Sequence, residues 1–299
     1  MLDLTKLINS EEIIFGPFLG EFGWEIMRWA GFIKGFKKKH PNKKIIVCTR
    51  ENRQDLYYDS VDSLELFNIE GDYKEFIPKC YDCLNFPDSM YSQILENLKD
   101  KYPNALIFDP RDYRCDRNLF DVKDMDFNWH TKSANKNVIE TILQKKKEGL
   151  TPILIHSIDR KETDKKNWGT PKWKQLFNLI ENSKKFFVFV TGIAPCYYRS
   201  KYERKDFYNL EDYSDPNLDT SVLGLTIEAI RHSKITICSQ TYTILLSNLL
   251  KTPTFFWGND VKTYSQYDNP FKTKSIGVED YIYNANPTII FNHIKKFTK

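Results

Sequence analysis

Short apolar runs alternate along this chain with longer amphipathic ones, and that alternation restricts the fold more than any other feature. Apolar runs of strand length separated by helical periods are the pattern of an α/β protein built on parallel sheets. In the first half, strands are expected at Ile13–Pro17, Lys44–Thr49, Glu75–Pro78 and Ala105–Asp109, and helices at Trp24–Lys38 and Asp88–Lys101. Ile26, Trp29, Ala30, Ile33 and Phe36 recur at helical spacing. The second half repeats the alternation. Strands are expected at Pro152–Ser157, Lys185–Thr191, Ile235–Ser239 and Pro253–Trp257. Helices are expected at Asn135–Glu148, Pro171–Asn182, Ser221–His232, Tyr242–Leu250 and Pro287–Phe297. Pro171 and Pro287 suit a first helical turn, where the missing N–H costs nothing.

A chain of 299 residues is long enough for about two domains. The polar stretch Asp126–Ser133 divides them, giving an N-terminal domain over 1–132 and a C-terminal domain over 133–299. Two α/β halves of similar size imply a cleft between them. Open α/β sheets bind ligands beyond the carboxyl ends of their strands, so functional residues are sought there.

With 15% aromatic residues and a net charge of +4, the chain has the composition of a packed protein. The charge excludes a general coat for polyanions but leaves room for a local basic cleft. No apolar run reaches the roughly 18–20 residues needed to span a bilayer. Met1–Glu12 has no basic region followed by an apolar one, so no signal peptide is expected and the chain reads as cytoplasmic. Cys48 and Cys238 sit in apolar strand-like runs and are expected to be reduced core residues. Cys80-x-x-Cys83 has no second pair at zinc spacing, although Cys115 and His130 lie downstream, and no metal site is expected.

Three strand-end turns carry chemistry. The first is Gly16-Pro17-Phe18-Leu19-Gly20-Glu21-Phe22-Gly23-Trp24-Glu25. Gly20 and Gly23 permit a tight turn and a close approach of ligand to the backbone. Glu21, in the loop itself, can act as a general base. Glu25 either shares that role or complements the helix dipole. The glycine spacing fits neither the dinucleotide fingerprint nor the phosphate-binding P-loop.

The second turn follows His156 and runs Ser157-Ile158-Asp159-Arg160 to Lys165-Lys166-Asn167-Trp168. Arg160 and Lys166 can hold a diphosphate by charge-assisted hydrogen bonds. Lys161 and Lys165 read as solvated, and His156 as a packed histidine. The third turn is Cys238-Ser239-Gln240-Thr241-Tyr242-Thr243. Ser239, Gln240, Thr241 and Thr243 can cap the helix that follows and donate to a phosphate. Elsewhere, Asp109-Pro110-Arg111-Asp112 either contacts an acceptor or forms a salt-bridged turn.

In this order the three sites resemble the GT-B glycosyltransferases, closest in pattern to the heptosyltransferase-like family. Leu19-Gly20-Glu21 stands where that family has a Gly-x-Gly-Asp-like turn, with Glu replacing Asp. Lys166-Asn167-Trp168 is similar to its Lys-x-Trp stretch, and Val190-Thr191-Gly192 to its Thr-Gly strand end. The run from Leu223 through Ser239-Gln240-Thr241, Pro253 and Gly258 is similar to its helix–strand–hydroxyl–helix–Pro–strand–Gly order. Two departures stand out: Tyr242-Thr243 replaces the Gly after the hydroxyls, and the usual His of the next helix is absent.

The resemblance implies two Rossmann-like α/β domains facing a central cleft, with the C-terminal helix packing back toward the N-terminal domain. It implies an inverting transfer of sugar from a nucleotide-sugar to a hydroxyl, with no metal and no cofactor beyond that co-substrate. Glu21 or Glu25 would be the base. Gly20, Gly23, Arg160, Lys166, Thr191, Gly192, Ser239, Gln240, Thr241 and Thr243 would serve the donor. Trp24, Asp109 and Arg111 would serve the acceptor, a saccharide or, alternatively, hydroxymethylated bases of phage DNA. A non-catalytic sugar-nucleotide-binding module and a sugar-nucleotide epimerase are the other readings. Two basic groups in the first half bear on the acceptor. Lys34, Lys37, Lys38, Lys39, Lys43 and Lys44 read as a solvated helix end, whereas Arg111, Arg114 and Arg117 lie nearer the expected cleft.

Overall fold

The computed structural model describes residues 4–69, 88–111, 125–127, 129, 136–157, 168–192, 206–213, 221–280 and 284–299. By its internal contacts the chain divides into two compact units, Met1–His130 and Thr131–Lys299.

The N-terminal unit opens with helix α1 (Leu4–Asn9) and strand β1 (Glu12–Phe18). Helix α2 (22–39) begins as Phe22–Trp24, widens into a π-turn over Glu25–Ala30 and closes as Gly31–Lys39. Strands β2 (Lys44–Arg50) and β3 (Ser63–Phe67), helix α3 (Asp88–Lys101) and strand β4 (Leu106–Phe108) follow. The strands form one parallel sheet in the order β3-β2-β1-β4. Phe15 of β1 packs edge-on against Trp29, Phe32 and Phe36 of α2 and touches Phe108 of β4. Trp29 and Phe36 belong to the apolar stripe that the helical spacing predicts, and its other members, Ile26, Ala30 and Ile33, are buried with them.

The C-terminal unit runs through helix α4 (Lys136–Lys147), β5 (Thr151–His156), α5 (Thr170–Ser183), β6 (Phe186–Thr191) and β7 (Phe207–Asn209). It continues with α6 (Val222–His232), β8 (Thr236–Ser239), α7 (Tyr242–Leu249), β9 (Thr254–Gly258), β10 (Ser275–Glu279) and α8 (Pro287–Phe297). Its parallel sheet has the order β10-β9-β8-β5-β6-β7. Trp168, Trp173, Phe177 and Trp257 fill one face of it. The buried side chains of the final helix, Ile290, Phe291 and Ile294, belong to this same core. Strands β3, β7 and β10 stand at sheet edges or are short, and none carries the apolar run that marks β1, β5 or β6. The strand expected at Glu75–Pro78 lies outside the described residues. No described helix is long and apolar enough to cross a membrane.

Each sheet has a point where the strand order reverses. In the N-terminal sheet it lies between β1 and β4; in the C-terminal sheet it lies between β5 and β8. Ligands of open α/β sheets bind beyond the carboxyl ends of the strands at such a point.

Candidate functional site

The C-terminal reversal point is built by three strand ends. β5 and β8 pair from Leu154–Thr236 to His156–Cys238, so Ser157 and Ser239 occupy the next position on each. Neighbouring strands lie about 4.8 Å apart. Both serines are almost wholly enclosed, at 0% and 1% exposure, and neither Oγ has a hydrogen-bond partner among the described residues. A buried hydroxyl without a partner costs about 1–3 kcal/mol, so two side by side call for an explanation. Alongside them the chain leaves β6 at Thr191-Gly192. Gly192 adopts φ +93°, and a Cβ there would stand 2.4 Å from the Ser157 carbonyl oxygen and 2.9 Å from His156 Nε2. Only glycine passes over the end of β5 at that distance.

The neighbouring hydroxyls are committed to the fold. Thr241 caps α7, its Oγ1 accepting from the Thr243 N–H at 3.1 Å. Thr243 Oγ1 pairs with His156 Nδ1 at 2.8 Å, and Tyr242 packs edge-on against the same ring. Gln240 reaches across to β9, where its Oε1 accepts from the Asn259 and Asp260 N–H groups at 3.0 and 3.1 Å. Gly258 leaves room for that side chain, since a Cβ there would lie 2.4 Å from Gln240 Oε1. Thr191 is buried with its Oγ1 on Thr226 Oγ1 at 3.1 Å. Of the hydroxyl-rich third turn, Ser239 alone keeps an unengaged side chain.

At the N-terminal reversal point the carboxylates of Glu25 and Asp109 are held by donors of the fold. β1 carries a bulge, because Phe15 pairs with Val47 and Phe18 with Thr49. Gly16 sits in it at φ +122°, where a Cβ would lie 2.3 Å from the Cys48 carbonyl oxygen. The strand then delivers Gly20, whose carbonyl accepts from Arg50 Nη2 at 2.8 Å. Exposed Glu21 follows, extended at the start of α2. Glu25, four residues on, is fully buried in the π-turn. Its carboxylate accepts from Thr49 Oγ1 and Tyr57 Oη, each at 2.8 Å, and from Arg53 Nη1 at 3.3 Å. The Arg53 guanidinium also lies 3.6 Å from the centre of the Phe22 ring. Burial pushes the Tyr57 phenol well above its ordinary range, and the Glu25 charge adds to the shift. Glu21 and Glu25 thus part company: one faces solvent, the other ties the helix start to β2 and the turn beyond it.

Asp109 and Arg111 follow β4 at the same reversal point. They form a forked pair, with Arg111 Nη2 and Nε at 3.0 and 3.1 Å from Asp109 Oδ2. Tyr91 Oη donates to Asp109, and the Arg111 guanidinium lies 3.5 Å from the centre of the Tyr91 ring. That is the salt-bridged turn of the two sequence alternatives. Trp24 is partly exposed on α2, beside Glu25. Lysines around the end of α2 are paired with acids, Lys34 buried and Lys38 and Lys44 still exposed. Lys34 meets Asp59 and Lys37 meets Asp62, both at 2.7 Å, and Lys44 meets Glu12 at 2.6 Å.

No protein-family model matches the chain, and no curated protein matches it in sequence. Solved structures do. A glycosyl transferase family 9 protein of Veillonella parvula is similar with a TM-score of 0.62 at 10% identity, covering 97% of each chain. The E. coli ADP-heptose LPS heptosyltransferase II is similar with a TM-score of 0.57 at 10% identity, over 96% of this chain and 98% of its own. An E. coli heptosyltransferase solved with ADP-2-deoxy-2-fluoro heptose gives a TM-score of 0.56 at 9% identity, over 95% and 99%. The chain has the GT-B fold.

In this GT-B chain the sequence reading did not single out Ser157, which the structure sets beside Ser239. Its signal was position alone: the first residue past a strand whose neighbour also ends in serine. Arg160, Lys166, Arg114, Arg117, Cys80, Cys83, Cys115 and His130 lie outside the described residues. Cys48 and Cys238 are buried free thiols, and burial pushes both above the usual thiol range. One Asp-x-Asp tripeptide is present, Asp124-Met125-Asp126; Asp124 lies outside the described residues, and Asp126 pairs with Lys38 at 3.4 Å.

Proposed function

We propose that the chain is a glycosyltransferase that binds a nucleotide-sugar at the carboxyl ends of β5 and β8 and transfers its sugar to a saccharide hydroxyl. The unpartnered, buried Ser157 and Ser239 hydroxyls carry this reading. They are donors held ready at the reversal point, and a diphosphate supplies the acceptor oxygens they lack. Hydrogen bonds to charged oxygens are about twice as strong as neutral ones, which offsets the cost of keeping the hydroxyls buried. Gly192 supports the reading by allowing the chain to cross the strand end without filling it. Arg160 and Lys166 add positive charge to the leaving diphosphate, so the reaction runs without a metal ion.

Glu21 is the base. It stands exposed at the strand-end turn, and Arg50 holds the carbonyl just before it. Deprotonation of the acceptor hydroxyl by Glu21 lets that oxygen attack the anomeric carbon as the diphosphate departs, which inverts the centre. Glu25, sealed against Thr49, Tyr57 and Arg53, positions the turn and does not meet substrate.

Calorimetry with ADP, UDP, GDP and their sugars tests the donor site. The S157A/S239A double variant is expected to bind the preferred diphosphate at least 10-fold more weakly. An unchanged affinity would overturn the placement. In product assays with EDTA present, Glu21→Gln is expected to lose most turnover while binding the nucleotide as before. Full turnover in that variant would remove Glu21 from the mechanism, and binding without transfer or hydrolysis in the unaltered chain would favour a non-catalytic module.

A further inference from the structure

The opposite edge of the C-terminal sheet carries a second pattern, independent of the donor site. Every pairing in that sheet is parallel, so all its strands begin on one edge. Lysines stand along that edge and are stitched into it by the backbone. The Lys274 carbonyl accepts from Thr254 N–H at 3.0 Å, Lys234 N–H donates to the Pro152 carbonyl at 2.8 Å, and the Lys185 carbonyl accepts from Thr151 N–H at 2.8 Å. From β10 to β6 this row crosses four strand intervals, about 19 Å.

A second observation shows that lysine is there at a cost. Lys184, Lys251 and Lys272 lie on the same edge in the left-handed region, at φ 52°, 60° and 51°. Glycine or asparagine relieves that conformation, and residues with a full side chain seldom adopt it. The chain uses asparagine for the purpose at Asn52, with φ 67°. Among the described residues, three of the five left-handed non-glycine positions are nonetheless lysines on this one edge. Helix-dipole complementarity accounts for a lysine near a helix end, but not for choosing it at a position that strains the backbone.

These charges have no acidic partner among the described residues, and all six lysines are exposed. The acids of the edge are already used: Glu148 and Asp206 both hold Lys145, and Glu228 holds Arg231. The lysines around α2 show the alternative, since there carboxylates neutralise the charge. One exposed ring and one partly buried ring lie among these lysines. Phe271 is 38% exposed, adjoins Lys272 in sequence and has Lys251 Nζ 5.0 Å from its ring centre. Phe297 receives Lys274 at 4.4 Å.

We infer that the amino-end edge of the C-terminal sheet is a docking surface for an anionic lipid bilayer. Clustered lysines are drawn to a negative leaflet, each contributing about fivefold in affinity. Aromatic rings flanked by lysines suit the headgroup level, with the ring toward the acyl boundary and the ammonium in water. The charges are lysine point charges without an arginine fork, which is the chemistry of a diffuse anionic surface rather than of phosphate-by-phosphate reading of nucleic acid.

Co-sedimentation of the full chain with vesicles tests the inference. Vesicles of phosphatidylcholine with about a quarter phosphatidylglycerol are expected to carry the chain down, and pure phosphatidylcholine vesicles are not. Salt should release it, because the attraction acts within a Debye length. The triple variant K184N/K251N/K272N is expected to bind on the order of 100-fold more weakly, with an unchanged or higher Tm, since asparagine relaxes the left-handed backbone. Equal binding to both vesicle types, no binding to either, or undiminished binding by the triple variant would overturn the proposal. So would a short DNA duplex that displaces the chain from the anionic vesicles.

Discussion

At the N-terminal reversal point Glu25 has three donors around its carboxylate, and Asp109 is shared between Arg111 and Tyr91. At the C-terminal one, Ser157 and Ser239 are buried with no partner for either hydroxyl. The strand ends are alike in topology, but one centres on engaged carboxylates and the other on two unengaged hydroxyls. Closed clusters fix geometry, because each group removed leaves another buried and unpaired. Open hydroxyls weaken the free protein and are useful only when a ligand completes them. The comparison therefore separates a part of the molecule that positions from a part that binds.

Glu25→Ala strikes the closed side and should have the largest effect. It leaves Tyr57 Oη and Arg53 without their acceptor inside the fold, and breaking a buried charged cluster costs about 3–5 kcal/mol. Urea denaturation should show that loss, and a change below about 1 kcal/mol would mean the cluster contributes little. The S157A/S239A variant strikes the open side. Its stability should rise, by up to about 1–3 kcal/mol for each hydroxyl, because an unpaired buried group is removed and no hydrogen bond is lost in the free protein. A clear loss of Tm would show that the hydroxyls are partnered after all, and the contrast between the two strand ends would fail.

A smaller effect concerns pH. Burial, with the nearby Glu65 charge, raises the Cys48 thiol from 9.0 to about 12. A raised acid is neutral in the folded state, so its contribution is complete below pH 9 and is lost as pH climbs toward 12. The unfolded chain releases the proton first, which lowers stability by about 0.4 kcal/mol at pH 9 and more above it. Denaturation curves between pH 8 and pH 10 should show the slope, and C48A should reduce it without abolishing it, because burial raises the Cys238 thiol as well. An equal slope in C48A would assign it to other groups.

Much of the architecture was legible in the residues. β1, β5 and β6 are buried on both faces and read as continuous apolar runs, and Asn286, Thr241 and Ser221 announce the helices they cap. β3 and β10 escaped notice because an edge strand is half exposed and its sequence, Ser-Leu-Glu-Leu-Phe or Ser-Ile-Gly-Val-Glu, need not be apolar throughout. The strand-end turns were legible as places, since glycines and hydroxyls cluster there. The role of each side chain in them was not.

Alternation of apolar runs, helix caps and glycines at strand ends determined the α/β class and where the turns fall, because those are local demands of backbone and burial. Tertiary structure alone decided which carboxylate is sealed and which hydroxyl is open. Glu25 acquires its donors from β2 and the turn after it, far along the chain, while nearby Glu21 acquires solvent. Thr243 meets His156, and Ser157 meets no partner, only because β5 and β8 lie side by side in the sheet. Hydrogen bonds act over about 3 Å in space whatever the separation in sequence, so polar satisfaction is settled by strand order and not by motif.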